Sequence, residues 1–444
     1  MDQRKEALEI FSAGVDSVLP DNLINNHISF NDSVLTCQDV NCRLTDYHHI
    51  YLIGFGKASA GMAHGMEELL GDRITGGHII TKYGHSFQLK HITITEAGHP
   101  VPDENGLIGT KKILEVIKKA SSGDLIIVLI SGGGSSLLTD LPDGISLEDL
   151  ATVNRLLVNS GADIQAINCV RKHLSQLKGG QLAKLAYPAS MLTLILSDVI
   201  GDIPEVIASG PTVADPSTFR DALDVLEKYQ LQTHVPSSVS NYLQKGESGS
   251  LPETAKFEDP CFLLTRNVLL GNNLTALKHA RIKAVDLGYY STIVSNIVSG
   301  DVHVVADYIL SEIKVIFLNN QVSKIALLFG GEPTVQYSGN GKGGRNQYLA
   351  LLMAQKLAGI PGITFLSAGT DGSDGPTDAT GAICDGTTIL QAIRMGCDPN
   401  EMTKNFDSYH FFETTGGLIK TGPTCTNVMD LMIALIDKRL VDQE

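Results

Sequence analysis

The sequence predicts an α/β protein of two α/β domains, the first a doubly wound, mostly parallel sheet. Three observations predict it. Short apolar runs alternate with stretches of helical period along most of the chain. Several of those runs, Leu125–Ile130 above all, are apolar at every position, as a strand covered on both faces requires. The texture then changes around Gln244–Pro260, where Gly246, Ser248, Gly249, Ser250, Pro252 and Pro260 punctuate a polar stretch without a period. That change divides the chain into a first domain at 1–243, a linker at 244–260 and a second domain at 261–444. A chain of 444 residues is too long for one ordinary core, so two domains are expected on size alone.

Taken in order, His49–Gly54 reads as a strand and Lys57–Leu70 as a helix. Gly77–Lys82, Ile92–Ala97, Asp124–Ile130 and Met191–Ser197 read as the next strands. Beyond the linker the pattern resumes with Cys261–Leu264, Tyr290–Val294, Lys324–Phe329 and Ile363–Ala368. Strand, glycine turn and helix repeating in this way make the first sheet Rossmann-like. Ligands of open α/β sheets bind outside the carboxyl ends of the strands, and the glycine-rich loops fall at those ends.

The formal net charge of −15, with no long Lys/Arg run to reverse it locally, argues against nucleic acid and anionic membrane as partners. A small anionic substrate would therefore need isolated cations set inside glycine loops. The seven cysteines are odd in number and contain no CxxC, which speaks against a disulfide framework or a zinc site. No apolar stretch approaches membrane-spanning length, and Met1–Lys5 leads into an amphipathic segment rather than a signal core. A reduced, cytoplasmic protein is expected, with self-association into a homo-oligomer left open.

Six loops could carry chemistry. In Gly54-Phe55-Gly56-Lys57-Ala58-Ser59 the amides at the helix start favour an anion and Lys57 adds a mobile charge; a tight turn with a solvated lysine is the competing reading. Ser131-Gly132-Gly133-Gly134-Ser135-Ser136 follows the most apolar strand, and ordering three glycines is entropically costly. Its successive amides can form an anion-binding nest, to which the serines add hydroxyl donors. Asp198, at the end of the Met191–Ser197 strand, could hold Mg²⁺ or accept a proton, or simply cap a helix. Arg171, Lys172 and Lys178 are expected to be solvated. Arg345 opens a helix behind two glycines, where the dipole disfavours a cation, so its presence suggests a grip on carboxylate or phosphate. Asp371, Asp374 and Asp378 crowd one loop at a density that suits a hard cation, although a string of Asx turns would look the same. His99 follows a strand and could touch substrate, but a structural hydrogen bond is the expected role.

The loops, taken together, resemble the glycerate 2-kinase family, whose C-terminal part is the MOFRL domain. The matching motifs run in order: GFGKAS at 54–59, EAGHPVPDENG at 96–106, SGGGSSLL at 131–138 and VRKHLSQLKGG at 170–180. SDVIGDIPEVIASGPTVADPST at 197–218, GGEPTV at 330–335, GKGGRNQ at 341–347, TDGSDGPTDATGA at 370–382 and TGPTCTNVMDL at 421–431 complete the set. The resemblance implies transfer of the ATP γ-phosphate to the 2-hydroxyl of D-glycerate, in a cleft between the two domains. It implies Lys57, Arg345 and Asp198 as catalytic residues, with Mg²⁺ on Asp198 and Asp371. Substrate or nucleotide would meet Gly54, Gly56, Ser131, Gly132, Gly133, Gly134, Ser135, Ser136, Gly330, Gly331, Glu332, Asn346 and Thr370. The chain departs from the family pattern at Tyr348, where Glu is common, at Cys425, where Gly is common, and at Met429, where Asn is usual. Gly300-Asp301-Val302-His303 also replaces the usual Gly-Glu-Ala-Arg.

Two rivals remain. A nicotinamide-dependent hydroxypyruvate reductase would need an acid after the second strand to grip a ribose hydroxyl, and the chain has Thr81-Lys82 there. A non-catalytic hydroxy-acid or nucleotide sensor could keep the glycine loops but has no need of both Lys57 and Arg345.

Overall fold

The computed structural model describes residues 2–441. The chain forms two compact units, Pro20–Leu270 and Met1–Leu19 together with Gly271–Glu444.

In the first unit, β1 (Ile28–Asn31), β2 (Val34–Cys37) and β3 (Val40–Arg43) form a small antiparallel sheet that the sequence did not announce. The main sheet holds β4 (Ile50–Phe55), β5 (Gly76–Lys82), β6 (Ile92–Ala97), β7 (Leu125–Ile130), β8 (Ser190–Leu196) and β9 (Thr265–Gly271). Its order is β6-β5-β4-β7-β8-β9, and β4 through β8 are parallel. Every residue of β4 and β7 is buried, which accounts for their unbroken apolar runs.

Two expectations shift here. Cys261–Leu264, read as a strand, is a short 3-10 turn, Pro260–Leu263, and the strand starts at Thr265. Pro260 lacks the N–H that a strand ladder needs and fits the first position of the turn. The expected linker at 244–260 is not a free connection. The helix Ser237–Glu247 runs into it, Thr254 and Ala255 are buried, and Ala255 exchanges backbone hydrogen bonds with Gly179 and Asp215. The units therefore part at 270/271 and again at 19/20 rather than at 244–260.

The second unit contains β10 (Tyr290–Asp301), β11 (Lys324–Thr334), β12 (Ile363–Gly369), β13 (Gly381–Asp385), β14 (Leu418–Ile419) and β15 (Asp430–Asp437), in the order β10-β11-β15-β12-β13-β14. Only β10 and β11 pair in parallel; the other neighbours are antiparallel. The last strand, β15, slots between β11 and β12, and Asp430 lies opposite both Gly331 and Gly369. The helix Gln3–Ser17 belongs to this unit, burying Ala7, Ile10 and Phe11, with Arg4 Nε 2.6 Å from Asp385 and Thr426 Oγ1 donating to the Val18 carbonyl at 2.6 Å. The helix Arg345–Lys356 is buried from Asn346 to Ala354 and forms part of the core.

Candidate active site

β4 and β7 lie side by side, and the winding of the sheet reverses between them, with β5 and β6 beyond β4 and β8 beyond β7. A crevice opens at such a switch point. Residues 56–58 and 131–134 leave the two strands that flank it. These loops are zipped together: Lys57 N donates to the Gly132 carbonyl at 2.8 Å and Ala58 N to Ser131 Oγ at 2.9 Å. Gly56 N reaches the Ile80 carbonyl at 3.1 Å and Ser59 N the Gly56 carbonyl at 3.2 Å. The expectation that the GFGKAS amides meet an anion is corrected, because those amides are spent inside the protein. What the first loop offers is the Lys57 side chain. Gly54 lies within β4 and Gly56 abuts Ser131, so both set the spacing of the crevice wall.

The second loop behaves differently. Gly134 N and Ser136 N are bonded internally, but the amides of Gly132, Gly133 and Ser135 make no hydrogen bond to protein among the described residues. The serines are braces rather than outward donors: Ser136 Oγ donates to the Gly133 carbonyl at 3.0 Å, Ser135 Oγ lies 2.9 Å from Ser209 Oγ, and Ser131 Oγ receives Ala58. Two glycines are required by what crowds them. A Cβ on Gly132 would collide with the Asp198 carboxylate. One on Gly133, whose φ is +82°, would sit 2.7 Å from His99 Cδ2 and 3.4 Å from Lys57 Cγ. Bare amides, Lys57, His99 and Asp198 thus converge on residues 132–133.

The sequence favours a structural hydrogen bond for His99 over contact with substrate, and the structure places the ring in this cluster. Its pKa falls to about 4, first through burial and then through the neighbouring Lys57, Lys82 and His85, so the ring is neutral near pH 7. The usable signal was its place just past the end of β6. Asp198 caps no helix, since the next helical turn after β8 is Ile207–Ser209. The expectation of solvated lysines at 172 and 178 is also corrected. Lys172 Nζ is 3.2 Å from Asp215, Lys178 Nζ donates to the Leu138 carbonyl at 2.7 Å, and both are buried. Burial lowers the Lys178 pKa against the pull of Asp140. These lysines hold the segments behind the glycine loop.

In the second unit Arg345 begins its helix with its charge already matched. Nε is 2.6 Å from Asp430 Oδ2, Nη2 is 3.0 Å from Oδ1, and Nη1 is 2.8 Å from Glu332. Burial opposes the charge, yet Asp430, Glu332 and Asp374 carry its pKa above the usual guanidinium range. A third of the side chain, 33%, stays exposed, enough for one face to meet a ligand. Asp374 sits at the helix start, accepting from the amides of Asn346 at 3.0 Å and Gln347 at 2.8 Å. Burial, aided by Asp430, pushes its pKa up to about 6 against those donors.

Other expected ligands in this unit turn out to be braces. Asn346 is buried, bonded to Asp374 and accepting from Ser367 Oγ at 2.6 Å. Thr370 Oγ1 donates to the Met429 carbonyl at 2.6 Å and accepts from Val428 N at 2.8 Å. Gly330, Gly331 and Glu332 lie inside β11, not in a loop beyond it, and Gly330 makes room for the side chain of Asn273. Asn273, which nothing in its local motif singles out, donates to the carbonyls of Val428 and Asp430 at 2.8 and 3.0 Å. Of the three loop aspartates, Asp374 caps the helix, Asp378 pairs with Lys420 at 2.9 Å, and Asp371 anchors a turn through Ser373 at 3.0 Å. Among the described residues no three His, Cys, Asp or Glu side chains converge as a metal cage.

An α/β fold with bare amides and a lysine at its switch point, and a buttressed arginine at a helix start in a second unit, defines an enzyme class that handles small anions. Residues 6–244 match the family described as a domain of unknown function, DUF4147, and residues 325–430 match the MOFRL family. The chain is 41% identical to the D-glycerate 2-kinase of Thermotoga maritima, over 98% of each chain. It is 38% identical to the glycerate 2-kinase of Pyrococcus horikoshii, over 99% of this chain and 98% of that one. The crystal structure of Thermotoga maritima glycerate kinase superposes with a TM-score of 0.86 at 40% identity, covering 98% of this chain and 99% of that chain. The chain belongs to the glycerate 2-kinase family.

Proposed function

We infer that the chain is a glycerate 2-kinase, transferring the γ-phosphoryl group of ATP to the 2-hydroxyl of D-glycerate to give 2-phosphoglycerate and ADP. The observation that carries this reading is the set of unpaired amides at Gly132, Gly133 and Ser135 beside Lys57, in a chain matched end to end by glycerate 2-kinases. Phosphoryl transfer is mostly positioning and charge stabilisation, and bare amides with a flexible cation supply both. In this reading the nest binds phosphate oxygens and Lys57 neutralises charge that develops on the transferred group. Arg345, held in one orientation by Asp430 and Glu332, takes the glycerate carboxylate or the phosphoryl group. Asp198 orients the substrate hydroxyl and accepts its proton. A carboxylate such as Asp198 or Asp371 would help to hold Mg²⁺, which when bound neutralises the ATP phosphates. We place the enzyme in the cytoplasm, in keeping with seven cysteines that are all thiols. Among the described residues no helix is long and apolar enough to cross a membrane.

The reductase alternative finds no support at β5. Thr81, where a ribose-binding acid would stand, is buried and donates to the Gly56 carbonyl at 3.1 Å. The test is ADP release from ATP with D-glycerate, with the product assigned by NMR as 2- or 3-phosphoglycerate. Release of ADP with the 2-isomer is expected. NADH oxidation by hydroxypyruvate without glycerate-dependent ADP release would overturn the assignment.

A further inference from the structure

Three consecutive residues, Ala208, Ser209 and Gly210, adopt the left-handed conformation, with φ of 50°, 61° and 60°. Such a run is costly for residues that carry a Cβ and persists only where its surroundings enforce it. This turn packs under the glycine loop: a Cβ on Gly134 would lie 2.8 Å from the Ala208 Cβ. It also delivers Ser209, wholly buried, to a point 2.9 Å from Ser135 Oγ and 2.9 Å from Asn168 Oδ1.

The direction of these hydrogen bonds can be worked out from the inside. Asn168 is buried, and its Nδ2 points at the Val206 carbonyl 3.5 Å away, so Oδ1 faces Ser209. An amide oxygen only accepts, so Ser209 gives its proton to Asn168. Ser209 Oγ then accepts from Ser135. Ser135 has one proton, and this relay uses it. What Ser135 turns toward the crevice is a lone pair.

We propose that the left-handed turn and the Asn168–Ser209 pair set Ser135 as a hydrogen-bond acceptor, so that it receives the hydroxyl of the hydroxy-acid substrate that Asp198 leaves free, the 3-hydroxyl of glycerate, rather than donating to a phosphate oxygen. Ser135 touches substrate; Ser209 and Asn168 are positioning residues that act through it. The division of labour within the loop follows: the amides of Gly132, Gly133 and Ser135 take anionic oxygens, and the Ser135 hydroxyl takes a donor. This deepens the glycerate 2-kinase reading and rests on it.

The test compares Ser135→Ala, Ser209→Ala, Ser209→Gly and Asn168→Ala with the parent enzyme. The first three are expected to raise KM for D-glycerate by about three- to tenfold, the range one hydrogen bond commands, with KM for ATP unchanged. Asn168→Ala turns the Ser209 proton back toward Ser135 and is expected to do the same. Ser209→Gly separates the relay from backbone strain. It relieves the left-handed geometry and raises the melting temperature above that of Ser209→Ala, yet shifts KM equally. A rise in KM for ATP instead, unchanged KM values in folded Ser209→Ala, or a normal KM in Ser209→Gly would overturn the proposal. If the parent enzyme shows no glycerate-dependent ADP release, the function reading fails by itself, and the relay is judged by amide exchange. Faster exchange at 132–135 in Ser209→Ala and Ser209→Gly alike supports it, and unchanged exchange overturns it.

Discussion

In the unit formed by Pro20–Leu270, the loop after β7 leaves three amides without protein acceptors, whereas in the other unit Arg345 is gripped by Asp430 and Glu332 before any ligand arrives. Both arrangements attract an anion, but by opposite routes. Amides carry no net charge, so the first site needs no counter-ion and is held in shape by serine hydroxyls and a left-handed turn. A guanidinium in a half-buried place needs counter-ions, so the second site is held in shape by carboxylates. A pre-paired arginine is weaker as an attractor and stronger as a fixed fork.

Breaking the carboxylate side should have the largest effect. Asp430→Ala leaves Arg345 with Glu332 alone and removes a fully buried partner, so a loss of about 3 kcal/mol of stability is expected, read as a drop in the denaturation midpoint. An unchanged midpoint would mean that Asp430 does not hold the arginine. Arg345→Ala is expected to lower kcat by about 100- to 1,000-fold in ADP release, the size of effect seen when a transition-state donor is removed. Near-normal turnover would confine Arg345 to a structural part.

The two units should also answer acid in opposite senses. In the first, burial lowers His78 and His99 to about 4 from an ordinary value of 6.5. Their contribution to stability is complete above 6.5 and is lost as pH falls toward 4, because the unfolded chain takes up protons first. In the second, Asp374 is raised to about 6 from 3.8, so its contribution is complete below 3.8 and is lost as pH rises through 6. Melting curves between pH 4 and 7 should show His78→Gln losing part of the parent's acid sensitivity and Asp374→Asn becoming relatively more stable with acidification removed from the comparison: its deficit against the parent shrinks as pH rises. The same slope in both variants would refute the contrast. The smallest effect is expected at Cys425, whose φ of 59° suits the glycine common in the family; Cys425→Gly should gain up to about 1 kcal/mol. Met429, at φ 69°, stands where the family's asparagine tolerates the same backbone.

β4 and β7 were readable because each is buried at every position and runs into a glycine-rich loop. β9 was not, since Thr265-Arg266-Asn267 begins it with polar residues at the edge of the sheet. β15 is apolar between Asp430 and Asp437, but its neighbours β11 and β12 lie far earlier in the chain, and strand period alone cannot reveal that insertion. Lys57 and Arg345 stood out as charges beside glycines, and Asp198 as a carboxylate at the end of a strand. Asp430 and Asn273 were not, because each acts through the backbone or charge of a distant residue. The lysines at 172 and 178 misled for the same reason: their partners, Asp215 and Leu138, come from separate loops.

The helix Gln3–Ser17 is made well before the surface it packs on. Its binding surface is built from residues beyond 270, so during synthesis at about 5–20 residues per second its apolar face waits tens of seconds for a home. In that interval the newborn chain carries an uncovered, greasy face, which makes this segment the natural handle for a chaperone.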